Sequence, residues 1–112
     1  MLKKENRLKK KKDFERIYKK GRGLKGDSLF LKILENKEEL TRIGIVVSKK
    51  VSKKAVQRNK IKRQMREIMR GMNVKKGFDV IVVAYPGILR KEFSEIKREI
   101  IYLLKKAKCL DL

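Results

Sequence analysis

After Asp13 the apolar residues Phe14, Ile17 and Tyr18 recur at i, i+3 and i+4, with Gly21 at i+7, the spacing of a short amphipathic helix. Gly21-Arg22-Gly23 closes it. A period of two then takes over. Leu29, Leu31 and Ile33 alternate with Phe30, Lys32 and Leu34, which predicts a strand with two usable faces. Asn36 to Leu40 is a polar, acidic turn, and Ile43, Ile45 and Val47 alternate with Arg42, Gly44, Val46 and Ser48 in a second strand, expected to pair antiparallel with the first. From about Ala55 to Met72 the residues Ile61, Met65, Ile68 and Met72 fall within about 60° of one another at about 100° per residue, the core stripe of a helix. Phe78 to Tyr85 is a nearly unbroken β-branched run that reads as a central strand, stopped by Pro86-Gly87. In the last segment Phe93, Ile96, Ile100, Leu103, Leu104 and Ala107 make a wide apolar stripe, a helix that covers the sheet. The order α-β-β-α-β-α predicts an α/β sandwich with helices against a mixed sheet.

Composition narrows the function. The chain has 112 residues, the length of one domain, and its 34 Lys and Arg against 13 Asp and Glu give a net charge of +21. Solubility of a small domain needs a net charge of only about 2–8. With no His, the chain cannot build a Ser-His-Asp or Cys-His triad, a histidine zinc site or an imidazole base. A lone Cys109 allows neither a disulfide framework nor a CxxC metal site and fits a reducing cytosol. No apolar run approaches the roughly 18 residues of a membrane span, and Lys3 to Lys12 lead into no apolar stretch of the kind a signal peptide needs. The expectation is a cytoplasmic binder of polyanions.

The charge is concentrated. Met1 to Lys25 carry 12 basic against 3 acidic residues and Lys49 to Arg70 carry 10 against 1, so two patches supply 18 of the 21 excess charges. On the helix after Ala55, Asn59, Arg63, Arg66 and Arg70 lie opposite the core stripe, Lys60 and Lys62 flank them, and Arg58 sits nearer the core boundary. Only Glu67 interrupts this face. A solvated helix face ordinarily mixes signs to gain i,i+4 pairs, whereas like charges at these spacings cost a few tenths of a kcal/mol each. Arginine's planar fork also suits bidentate contacts with phosphates and base edges. Ser48-Lys49-Lys50-Val51-Ser52-Lys53-Lys54 brings four lysines and two hydroxyls to the mouth of that helix, where free N–H groups already favour phosphate. These features point to nucleic acid.

VSKKVSKKAVQRNKIKRQMRE, Val47 to Glu67, resembles the signature of the bacterial ribonuclease P protein subunit, and RLKKKKDFERIYKKG, Arg7 to Gly21, resembles that family's opening arm and first helix. The family's Arg-Asn-Arg element stands here as Arg58-Asn59-Lys60, which keeps the charge and loses one bidentate fork. The loop before the helix is one residue longer, with Ser52 where glycine is usual. The resemblance implies a two-layer sandwich of three helices and a mixed four-stranded sheet in the order αβββαβα, similar to the second domain of a small-subunit ribosomal protein, with a left-handed β-α-β crossover around the arginine-rich helix. Residues 1–12 are expected to form a basic, flexible arm. The resemblance also implies that catalysis belongs to an RNA subunit with bound Mg2+, so the protein is expected to supply no catalytic and no metal-ligating residue.

Two surfaces follow. Docking on the RNA subunit is expected from Lys49, Lys50, Lys53, Arg58, Asn59, Lys60, Lys62, Arg63, Arg66 and Arg70. The single-stranded 5′ leader of precursor tRNA is expected in a cleft between the first helix and the sheet, contacted by Arg7, Phe14, Tyr18, Phe30 and Lys32. Stacking rings beside cations are what a single strand needs, although Lys32 stands where the family often has an aromatic. A ribosomal or other structural rRNA-binding protein is the alternative that charge alone would serve equally well. A DNA architectural protein would need wedge residues and an apolar dimer seam, and no stripe is left over for one, so neither DNA nor a membrane is expected as a partner. Gly21-Arg22-Gly23-Leu24-Lys25-Gly26 satisfies GxGxxG but follows a helix and opens a strand, the reverse of a dinucleotide site. Asp79, beside Lys75-Lys76, is expected to make a local ion pair, and Glu92, Glu95 and Glu99 to keep the last helix soluble.

Overall fold

The segment Phe78–Ala84 (β4) organises the sheet, because, Asp79 apart, its side chains are apolar on both faces and need strands on both sides. In the computed structural model, which describes residues 4–110, Leu29–Glu35 (β2) runs antiparallel to β4, with Leu29 opposite Ala84 and Glu35 opposite Phe78. Arg42–Val46 (β3) runs parallel to β4 on its other side, from Arg42 opposite Asp79 to Val46 opposite Val83. The short edge strand Arg22–Lys25 (β1) pairs antiparallel with β2, and the order is β1-β2-β4-β3. The two strands expected to pair with each other are therefore separated. β4 takes the slot between them, and the parallel β3–β4 pair is joined through the helix Ala55–Arg70 (α2).

The sheet has one thickly covered face. Leu29, Leu31, Ile33, Ile43, Val80, Val82 and Ala84 pack there against Ile61, Met65, Ile68 and Met69 of α2 and Ile96, Ile100, Leu103 and Leu104 of the last helix, Phe93–Lys106 (α3). This is the expected sandwich of helices against a mixed sheet. The first helix, Lys11–Lys20 (α1), lies on the opposite face, where Ile17 and Leu8 close over Ile81 with Phe14, Leu34, Val46 and Val83 around them. Gly44 makes that approach possible: a Cβ there would come within 2.7 Å of the Phe14 ring.

Of the arm expected over residues 1–12, residues 1–3 lie outside the described residues. The next stretch is laid along the free edge of β3: Arg7 bridges Ile43 in parallel, the Leu8 N–H donates to the Ile43 carbonyl at 2.9 Å, and the Asn6 amide donates to the Thr41 carbonyl at 2.6 Å. The carboxylates also have more specific partners than expected. Asp79 is fully buried and pairs with Arg42 and Arg16, not with Lys75 or Lys76. Glu92 and Glu95 form a capping box that starts α3. Glu99 accepts the Ser28 N–H at 2.9 Å, the Ser28 hydroxyl at 2.7 Å and the Leu29 N–H at 3.1 Å, latching α3 to the β1–β2 turn.

Candidate nucleic-acid interface

The loop before α2 is built to hold its lysines outward. Val51 is buried as an anchor, the Val51 N–H donates to the Ser48 carbonyl at 3.0 Å, and Lys49, Lys50, Lys53 and Lys54 are left exposed around it. The Ser52 hydroxyl donates to Gln57 Oε1 and accepts the Lys54 N–H, which ties the loop to the first turn. Arg58 donates through Nη1 to the Ser52 and Lys53 carbonyls at 2.9 and 3.0 Å, so its guanidinium also staples the loop. No side chain caps α2 at Lys54 and no acidic residue lies in its first turn. A helix start with cations and no cap is unfavourable for the isolated helix, and it leaves N–H groups and positive charge aimed at an anion.

Along α2 the expected face is present. Asn59, Lys60, Arg63 and Arg70 are exposed, and Lys62 and Arg66 are half-buried on its flanks. Arg70 donates to Glu67 at 2.7 Å, an exposed pair that subtracts one charge from the C-terminal end of the face. Arg66 reaches the edge of the sheet, where with Arg7, Lys9 and Phe14 it lines a hollow of about 230 Å3.

The second surface is the part of the opposite sheet face that α1 leaves open. α1 crosses near the end of the sheet where Asp79 lies. On one side of Ile17 its Arg16 donates to Asp79 at 3.2 Å. On the other side of the helix lie Phe14, packed over Gly44, and the partly exposed Tyr18. The floor of the uncovered part is Phe30 and Tyr85, with ring centroids 5.5 Å apart and planes inclined at 33°, beside the half-buried Val46 and Val83. Lys25 stands directly opposite Phe30 on β1, on the same face and exposed. Tyr18 is 39% exposed at the rim, and its partial burial raises the phenol pKa above the ordinary value. The arrangement offers π faces with a cation at the margin, the requirement for holding unpaired bases.

The five expected cleft residues divide. Phe30 is the floor, Tyr18 the rim and Phe14 the wall packed over Gly44. Lys32 lies on the same face, half-buried, with its ammonium donating to the Gly21 carbonyl at 3.2 Å, so that it closes the C-terminal end of α1. Arg7 is not brought to Phe30; it lies at the β3 edge, two strands away, beside Arg66. Sequence reasoning missed Tyr85 and Lys25. The alternation Ile81, Val83, Tyr85 was legible, but which face Tyr85 shares with Phe30 depends on the β2–β4 register. Among the described residues no group of three or more Cys, Asp or Glu side chains could hold a metal ion, and no helix is long and apolar enough to cross a membrane.

Comparison with known proteins gives a consistent result. A family model described as Ribonuclease P matches residues 2–108. The ribonuclease P protein component of Pseudanabaena sp. is 42% identical over 113 residues, 98% of this chain and 97% of that protein. That of Clostridium botulinum strain 657 is 36% identical, over 93% of this chain and 96% of that protein. Among solved structures, the RNase P protein of Staphylococcus aureus superposes with a TM-score of 0.85 at 36% identity, covering 95% of this chain and 98% of that one. The RNase P protein of Thermotoga maritima gives 0.81 at 34% identity, covering 89% and 96%.

Proposed function

The chain belongs to the ribonuclease P protein family, and from that premise we propose how its two surfaces divide the work. As a ribonuclease P protein component of bacterial type it is a subunit of the endoribonuclease complex of tRNA 5′ processing, and its partner is an RNA subunit. In our reading the RNA subunit docks on α2 and its preceding loop, through Lys49, Lys50, Lys53, Asn59, Lys60, Lys62, Arg63 and Arg66. Arg58 holds the loop in shape while facing the same partner, and Arg70 contributes once Glu67 releases it. The cleft floored by Phe30 and Tyr85, with Phe14, Tyr18, Lys25 and Lys32 around it, takes the 5′ leader of precursor tRNA. Arg7 acts with Arg66 on the RNA-subunit side.

One observation carries this reading: the cationic helix and the aromatic cleft lie on opposite faces of one four-stranded sheet. A protein so built can hold two RNA elements at once without their competing for the same groups. The phosphodiester chemistry is assigned to the RNA subunit with Mg2+. Of the protein's own buried or latched carboxylates, Asp79 is engaged by two guanidinium groups and Glu99 by the Ser28 turn. The site of action is the bacterial cytoplasm.

Arg63→Ala and Arg66→Ala test the docking face. Each is expected to weaken binding to the RNA subunit and to lower the salt slope by about one. Unchanged affinity and slope in both would remove α2 as the dock. Tyr18→Ala and Phe30→Ala test the cleft: in the assembled complex each should weaken precursor tRNA by about 1–3 kcal/mol of lost stacking and leave mature tRNA unchanged. An equal loss for both substrates would place the leader elsewhere.

A further inference from the structure

Where β2 ends and β4 begins, a groove of about 580 Å3 opens outside both surfaces described above. Lys20 at the end of α1, Arg22 on β1, Lys75 before β4 and Lys108 after α3 line it, with Glu35 the one acidic side chain among its walls. Lys105 joins Lys75 and Lys108 around an adjoining hollow of about 350 Å3. Backbone pairing holds these segments together. Val74 bridges Leu110, the Lys75 N–H donates to the Cys109 carbonyl at 2.7 Å, and Arg22 Nη2 donates to the Ala107 carbonyl at 3.2 Å.

Two features need more than solubility to account for them. Cations in the last turn of α3 complement the negative end of that helix, but Lys20, Arg22 and Lys75 come from other elements and converge on the same place. Among the described residues no carboxylate lies within ion-pair distance of Lys20, Lys75, Lys105 or Lys108. Lys108 itself stands at φ +60°, in the left-handed conformation that closes a helix and that glycine usually fills. The closing bonds are formed, from the Lys108 N–H to the Lys105 carbonyl and from the Cys109 N–H to the Leu104 carbonyl, both at 3.0 Å. A side chain is carried there at a steric cost that glycine would not incur.

Lys75 follows Arg70 by five residues, at most about 18 Å of chain, so the groove lies within reach of an RNA strand that leaves the C-terminal end of α2. We propose that this groove is a further phosphate-contact site for the RNA that docks on α2. It rests on the reading of α2 as the RNA-subunit dock. Phe78, half-buried, is the one ring among its walls, and the cations around it hold the sugar-phosphate backbone through point charges, with little dependence on base sequence.

The test uses the full-length protein and the RNA subunit, with affinity measured between about 50 and 200 mM monovalent salt. Lys75→Gln and Lys108→Gln are each expected to lower the salt slope by about one. A slope change of about 0.9 referred to 1 M salt corresponds to a loss of about eightfold at about 0.1 M. Lys108→Gly separates recognition from structure: it should lose the same affinity while its Tm rises, because glycine relieves the backbone. A purely structural role for Lys108 would move both quantities in the same direction and overturn the proposal. Unchanged slopes in both Gln variants, with Arg63→Ala still lowering the slope, would refute the groove and leave the α2 dock standing. If Arg63→Ala also has no effect, the docking reading falls and the groove with it. A loss confined to precursor tRNA binding by the assembled complex would overturn the choice of partner.

Discussion

Asp79→Asn probes the contact that fixes α1 to the sheet. The carboxylate is fully buried and accepts four hydrogen bonds. Oδ1 accepts from Asn36 Nδ2 at 2.8 Å and Arg42 Nε at 2.9 Å, and Oδ2 from Arg42 Nη2 at 2.8 Å and Arg16 Nη2 at 3.2 Å. Asparagine keeps one acceptor oxygen and turns an NH2 group toward the donors that faced the other. Two charge-assisted bonds at about 1.5–3 kcal/mol each are lost. The side chains of Arg16 and Arg42 are 44% and 20% exposed, so both can turn partly to water, which brings the expected cost down to about 2–4 kcal/mol. For a chain of this length that is a fall in Tm of roughly 8–17 °C. Urea denaturation should show the loss as a lower midpoint at unchanged m. A double-mutant cycle with Arg42→Gln should be less than additive by more than about 1 kcal/mol. RNA-subunit affinity should stay as it was, because α2 packs on the other face, while leader binding weakens as α1 loosens. A stability loss below about 1 kcal/mol, or strict additivity with Arg42→Gln, would refute the account of this network.

Three further changes probe the scaffold. Gly44→Ala places a Cβ 2.7 Å from the Phe14 ring and should destabilise by about 1–3 kcal/mol. Adding Phe14→Ala should remove that penalty, and additive losses in denaturation would mean the two residues do not meet. Glu99→Ala removes the acceptor of the Ser28 and Leu29 N–H groups and should cost about 2 kcal/mol; a loss under about 0.5 kcal/mol would show that α3 is not latched there. Burial raises the Cys109 thiol pKa above its ordinary value of 9.0, with Arg22 and Lys75 pulling it partly back. The folded state then holds the thiol proton more tightly than the unfolded chain, so this contribution to stability is complete below about pH 9 and is lost as pH rises through the folded value. The native protein should resist a disulfide-exchange reagent at pH 8 and react on unfolding, whereas rapid labelling of the native state would contradict the packing of the C-terminal segment.

What the sequence disclosed depended on whether a feature is local. The α2 face was readable because helical periodicity alone separates Ile61, Met65 and Ile68 from Asn59, Arg63 and Arg66. The central strand was readable because a run of β-branched residues has no polar side. Pairing was not, since nothing between Glu35 and Arg42 states that β4, more than thirty residues later, will come between β2 and β3. Whatever depends on that pairing stayed hidden as well: the Phe30–Tyr85 platform, the reach of Arg42 to Asp79, and the convergence of Lys20, Arg22, Lys75 and Lys108. β1 was masked by its two-residue repeat of small and charged positions, which resembles a helix stop more than a strand. Glu99 read as surface charge because its partners, Ser28 and Leu29, lie 71 and 70 residues away.

The most direct test of the central claim is reconstitution. The purified protein is mixed with a bacterial ribonuclease P RNA and a precursor tRNA carrying a 5′ leader, at low Mg2+, and cleavage at the mature 5′ end is followed. The account predicts cleavage that needs both components and that falls for protein altered at Arg63 or at Phe30. Binding of RNA with no stimulation of cleavage, even with the RNA from the protein's own source, would contradict it and leave the arginine face as a generic RNA dock.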